Sequence, residues 1–140
     1  MAVRNYNAKK VACIVGAVML TGFHDGDKVS VERNEDTFTF QPDTDGGGTR
    51  SRNNNTSGRF TFTLSQTSPV NAALSALAML DETAGAGAVP ILVKDAGGLS
   101  SYGCETAWCV KPPTGDFTKE SGPRVWIFET EDLKWFEGGN

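Results

Sequence analysis

The chain has 140 residues, room for one domain with a real core, and its 39% hydrophobic and 21% charged residues are those of an ordinary globular protein. A formal charge of −4 excludes a surface built to grip nucleic acid by neutralising its phosphates. Three cysteines, Cys13, Cys104 and Cys109, are odd in number and lack metal-ligand spacing, so they are expected to be reduced, buried thiols.

In chain order, residues 1–10 read as a loose polar arm. Lys9-Lys10 followed by Val11 to Leu20 imitates a secretory leader, but the apolar run is too short to span a bilayer and no small-x-small site follows. Its Val, Ile, Ala and Cys content predicts one buried strand covered on both faces. A turn at His24-Asp25-Gly26-Asp27 leads to an alternating strand, Lys28 to Glu32, and Asn34-Glu35-Asp36 predicts a bend that lets one long strand serve two sheets.

Thr37 to Leu80 holds the strongest signals. Thr37 to Phe40 and Arg59 to Leu64 alternate with period two, predicting an antiparallel pair with Phe38, Phe40, Phe60, Phe62 and Leu64, together with Val29 and Val31, turned to the core. Between them residues 41–58 contain no large apolar side chain, and so long a connection suggests an arm used for binding. Asp43 and Asp45 lie on its outgoing side and Arg50, Arg52 and Arg59 on its return. With the amides of Asn53, Asn54 and Asn55, these arginines read as donors lacking local acceptors.

Ser68 as N-cap and Pro69 at the first helical position predict a helix over residues 69–81. Its sequence is apolar nearly all round, so it needs covering on more than one side, and a second subunit is the natural cover. Asp81 and Glu82 sit at the unfavourable end of its dipole, implying an outside partner or an early stop. Strands are then expected over Val89 to Lys94, Ser101 to Lys111 and Val125 to Glu131, with a polar connection from Pro112 to Pro123 and an anchored end at Leu133 to Phe136. No internal repeat divides the chain, so residues 1–140 are read as one domain.

Chemistry is hard to find. His24 is the sole histidine, and its acidic neighbours are explained by a turn. Asp43-Thr44-Asp45-Gly46 resembles the start of a calcium loop, but Asn54 stands where the bidentate glutamate is required. The pair Glu129 and Glu131 reads as an acidic strip rather than a glycosidase couple. We therefore expect no catalytic residues, metal or cofactor.

The segments IVGAVMLTGF, DKVSVERNEDTFTF, TRSRNNNTSGRFTFTLSQTSPVNAALSAL, VPILVKD, AWCVKPP and DLKWFEGGN resemble the tail tube proteins of contractile-tailed (myovirus) bacteriophages over nearly the whole chain. The resemblance implies a mainly β, antiparallel sandwich or barrel-like fold with one flanking helix and an extended loop over 41–58. It further implies homo-hexameric rings stacked into a hollow tube inside a contractile sheath. Sheath, baseplate or hub, and tail terminator proteins would be its partners, genomic DNA would pass without specific binding, and no membrane is involved. Its place would be the virion tail, assembled in the bacterial host cytoplasm. On that reading Asp43, Asp45, Arg50, Arg52, Asn53, Asn54, Asn55, Val70 and Leu77 make contacts between subunits or rings. Glu32, Thr37, Thr39, Thr61, Thr63, Glu129 and Glu131 line the lumen. A tube of a phage-like bacteriocin or type VI secretion system fits the same residues. From a different class, so does a secreted β-sandwich that binds carbohydrate or another small ligand through the long loop, while a hydrolytic enzyme fits least.

Overall fold

A computed structural model describes residues 3–26 and 28–139; the expectations placed on Met1, Ala2 and Asp27 lie outside them. The elements in order are a short 3₁₀ turn at Ala8–Lys10, then β1 (Val11–Val15), β2 (Val18–Met19), β3 (Val29–Arg33), β4 (Phe38–Pro42), β5 (Gly48–Arg52) and β6 (Gly58–Ser65). After these come α1 (Val70–Ala84), β7 (Val89–Asp95), β8 (Ser101–Lys111), β9 (Pro123–Thr130) and β10 (Lys134–Phe136). The fold is mainly β, antiparallel and flanked by one helix, as expected.

The main sheet has eight strands, in the order β2-β1-β7-β8-β9-β6-β3, with β10 paired to the start of β8. It curls until its two edges approach. Lys28 Nζ spans the gap, donating to the carbonyls of Ala8 and Val11 at 2.6 Å each. Alternation on β6 places Phe60, Phe62 and Leu64 fully inside, facing Trp126 and Phe128 of β9, Ile91 and Val93 of β7, and Cys13 and Val15 of β1. The Phe60 and Phe62 rings stack at 6.1 Å, and Phe128 meets Phe62 edge-on at 6.0 Å. Burying each such side chain contributes about 1.5–3 kcal/mol.

The helix closes the open end of this core through Val70 and Leu74, with Leu77 and Ala78 partly covered. Pro69 is the N-cap and the helix begins at Val70, one residue later than expected; Ser68 Oγ accepts from Val70 N–H at 3.3 Å and donates to Thr21 O at 2.7 Å, tying the helix start to the chain before β3. Asn71 fixes the helix to the sheet: its Oδ1 accepts from Trp126 Nε1 at 3.0 Å, while its Nδ2 donates to Ser65 O and Ser68 O at 2.9 and 3.1 Å. The helix runs three residues beyond the expected end and stops at Gly85, whose φ of 63° is the left-handed cap. Asp81 Oδ1 there accepts from Gly87 N–H at 3.2 Å. This local role answers the question its position posed.

Three expectations are corrected. Val11 to Leu20 is not one strand: Gly16, at φ 61°, turns the chain between β1 and β2. Thr37 to Phe40 does not pair with Arg59 to Leu64. Instead β6 lies between β3 and β9, whereas β4 pairs with β5 in a separate two-stranded sheet. Phe38 and Phe40 consequently leave the core and are 44% and 65% exposed. The bend at Asn34 to Asp36 does divide one chain direction between two sheets, and Cys13, Cys104 and Cys109 are free thiols, the first two buried as expected and Cys109 only partly so.

Candidate functional site

The extended segment after residue 41 is an ordered β-hairpin standing off the body, every residue of β4 and β5 being exposed. Its turn closes through Asp43 N–H to Gly47 O at 2.8 Å, with Gly46 at φ 91°. Register places Phe38 opposite Arg52 and Phe40 opposite Arg50, so the two rings and the two guanidiniums share one face. Arg50 lies over the Phe38 ring at 4.2 Å. Thr39, Gln41, Thr49 and Ser51 occupy the other face. Asp43 and Asp45 sit at the exposed tip.

A polar clamp fixes the base. Glu35 Oε2 accepts from Asn53 Nδ2 at 3.0 Å and Asn55 Nδ2 at 2.6 Å, and these two bonds hold its carboxyl below the ordinary glutamate range. Asn53 N–H donates to Thr37 O at 2.7 Å, and Asn34 Nδ2 to Ser57 Oγ at 3.1 Å. Asn53 and Asn55 therefore do have a local acceptor, contrary to the sequence reading. Glu35, three residues before Phe38, was missed because its partners lie eighteen and twenty residues on. The side chains of Arg52 and Asn54 have no hydrogen-bond or ion-pair partner among the described residues.

The return strand also anchors to the body's far end. Thr56 Oγ1 donates to Asp132 at 3.0 Å, and Leu133 N–H to Thr56 O at 2.9 Å. Lys134 Nζ approaches Asp132 at 3.0 Å, and with Thr56 it lowers that carboxyl's pKa. Asp81 and Asp132 are thus engaged within their own chain, while Glu82 and Glu131 are exposed.

A second surface is the helix flank. Ala72, Ala76, Met79 and Leu80 recur at helical spacing and stay exposed, Met79 by 64% and Leu80 by 46%. Of the two helix residues assigned to subunit contacts, Val70 is buried in this chain's own core because it faces the sheet, and Leu77 is half-covered by it.

The third is the outward face of β3, β6 and β9. Ser30 and Glu32 stand across from Thr61 and Arg59, which stand across from Ile127 and Glu129, and Thr63 follows one step along. Arg59 Nη2 reaches Glu129 Oε1 at 2.8 Å. Arg59 therefore belongs to this strip and not to the loop's donors; with one arginine between two glutamates, the strip keeps a single negative charge. Thr61 and Thr63 share this face with Glu32 and Glu129. Thr37 and Thr39 do not, because they belong to the hairpin segment, and Glu131 lies past the end of β9.

Among the described residues no group of three or more His, Cys, Asp or Glu could hold a metal ion, and no helix is long and apolar enough to cross a membrane.

Residues 4–138 match the family model described as bacteriophage PhiTE tail tube protein. A structural protein, ORF10, of Pseudomonas phage KPP10 is 37% identical over 123 residues, which is 86% of this chain and 71% of that protein. The anti-feeding prophage tube-terminating cap superposes with TM-score 0.65 at 12% identity, covering 97% of this chain and 94% of that one. A chain of the sheath-tube complex of an extracellular contractile injection system, PVC, superposes with TM-score 0.59 at 12% identity over 94% and 91% of the two chains.

Proposed function

The chain belongs to the bacteriophage PhiTE tail tube protein family, and on that premise we propose that its copies form hexameric rings that stack into the hollow conduit of a phage tail. The observation that supports this best is the hairpin. An isolated two-stranded ribbon with two exposed phenylalanines is marginal in water, yet this one is held at its base by six polar side chains or carbonyls and leaves both rings partly in solvent, with only Arg50 laid over Phe38. A second copy supplies what covers it. Asp43, Asp45, Arg50, Arg52, Asn54 and the exposed helix flank with Leu77 at its margin are the subunit contacts in this reading. Asn53 and Asn55 set the hairpin's direction.

The strip of Glu32, Thr61, Thr63 and Glu129 is the proposed lumen lining. If each of six subunits gave about four strands to a shared wall, about 24 strands 4.8 Å apart and tilted near 40° would close at about 48 Å between backbones. Side chains narrow that bore but leave room for a duplex. Short hydroxyls and a residual negative charge, with Arg59 neutralised by Glu129, give sliding DNA no cationic hold. Sheath, terminator and baseplate proteins are the proposed partners on the outside and at the ends, and host cytoplasm the proposed place of assembly. The role is structural and needs no catalyst or cofactor.

The test follows from the register. Asn53 N–H donates to Thr37 O at 2.7 Å, the hydrogen-bonded pair that a two-residue turn needs at its flanks, so residues 38–52 can be replaced by an Asn-Gly turn without disturbing the body. The shortened chain should keep its far-UV spectrum and lose the capacity to form tubes under negative stain. Tubes of normal length from the shortened chain would refute the proposal.

A further inference from the structure

The outward face of the sheet contains a concavity of about 730 Å³ between β1, β7, β8 and the β9–β10 corner. A bulge makes it: β8 advances three positions, from Cys104 to Ala107, where β7 advances two, from Ile91 to Val89, and β9 ends just where this shift occurs. Its floor is apolar, with Ile14, Pro90 and Leu92, the last 44% exposed. Glu105 and Glu131 stand on its rim, both exposed and neither in a salt bridge among the described residues. Its remaining charges, Asp132 and Lys134, satisfy each other at 3.0 Å.

We propose that this concavity receives the Phe38–Arg52 hairpin of a second copy, with Phe38 and Phe40 on the Ile14–Pro90–Leu92 floor and Arg50 and Arg52 against Glu105 and Glu131. The inference rests on the tube reading and names where the hairpin lands. The match is one of number and kind: two exposed apolar rings, one of them under Arg50, and two cations without a carboxylate partner on the hairpin, an apolar floor and two unpaired carboxylates in the concavity. The helix flank is a poorer receptor, because it is convex and of its acids only Glu82 is free, Asp81 being used in the cap. Hairpin and concavity are different patches of one chain, so the contact is head-to-tail and repeats from copy to copy; such a contact closes rings or extends filaments. Burial of ion pairs between free partners also makes the contact selective for its own kind.

Charge exchange tests this. R50E/R52E and E105R/E131R should each raise the protein concentration at which tubes appear by about tenfold or more, equivalent to about 1.4 kcal/mol. The chain with all four changes should assemble near the wild-type threshold, since the reversed hairpin now meets a reversed rim. Wild-type tubes together with a four-fold variant no better than either pair would overturn the docking site and leave the tube reading standing. A wild type that never assembles would overturn both. Should a reversed variant lose its folded far-UV spectrum, the neutral pairs R50Q/R52Q and E105Q/E131Q replace them. Their effects should then overlap, the four-fold variant being no worse than one pair; additive losses would overturn the proposal.

Discussion

Asn71 joins the helix to the sheet, and its replacement tests whether that joint acts as a coupled unit. In Asn71→Ala the Trp126 indole, 2% exposed, loses the acceptor 3.0 Å from its Nε1, and the carbonyls of Ser65 and Ser68 lose a donor at 2.9 and 3.1 Å. An orphaned buried N–H costs about 1–3 kcal/mol, and the half-buried carbonyls add about 1 kcal/mol because water reaches them in part. The expected loss is about 2–4 kcal/mol. Trp126→Phe removes the donor as well as some packing volume, at about 1–3 kcal/mol. Once the donor is gone, deleting Asn71 leaves no orphan inside, so the double variant should be more stable than the sum of single losses predicts by about 1 kcal/mol or more. Urea unfolding followed by far-UV circular dichroism measures all four chains. Additivity within about 0.3 kcal/mol would refute the reasoning, since the bond would then have no energetic bearing on the joint.

Acid should loosen the hairpin before it unfolds the body. Glu35 has its folded pKa lowered by Asn53 and Asn55, so its contribution is present above the ordinary glutamate value of about 4.3 and is lost as pH falls through the lower folded value. Amide exchange in Phe38 to Arg52 should rise in that window while exchange in β6 does not. In Gly58→Ala the new Cβ would lie 2.5 Å from Leu133 Cδ2 and 2.9 Å from Glu32 O, so a loss of about 1–3 kcal/mol is expected by thermal or urea melts. Burial pushes the Cys13 thiol up to about 11, so it should resist thiol reagents at pH 8 in the native protein and react only on unfolding, as mass spectrometry would show.

Elements whose alternation is set by burial were readable from the sequence. Phe60, Phe62 and Leu64 recur with period two because one face of β6 is sealed, and Ser68-Pro69 marks the helix because both residues act through local backbone geometry. The hairpin was not readable as such. Gly48 to Arg52 meets solvent on both faces and so has no apolar rhythm, while Phe38 and Phe40 share the rhythm of a core strand although both are exposed in this chain. The only signal was symmetry: two aromatics and two arginines, each two apart, about a Gly-rich turn. Gly16 hid the split of the first strand, since a single glycine within an apolar run is compatible with either outcome until its φ is known. The site residues followed the same rule: Thr61, Thr63, Glu32 and Glu129 were placed together by strand parity, whereas the Glu35 clamp depends on contacts far apart in sequence.

The central claim is that this chain leaves a hairpin face uncovered which only further copies cover. Electron cryomicroscopy of the purified protein at high concentration tests it most directly. The account predicts stacked rings in which Phe38 and Phe40 of each subunit are buried against a neighbour. A monodisperse particle of 14.9 kDa whose hairpin remains in solvent would contradict it.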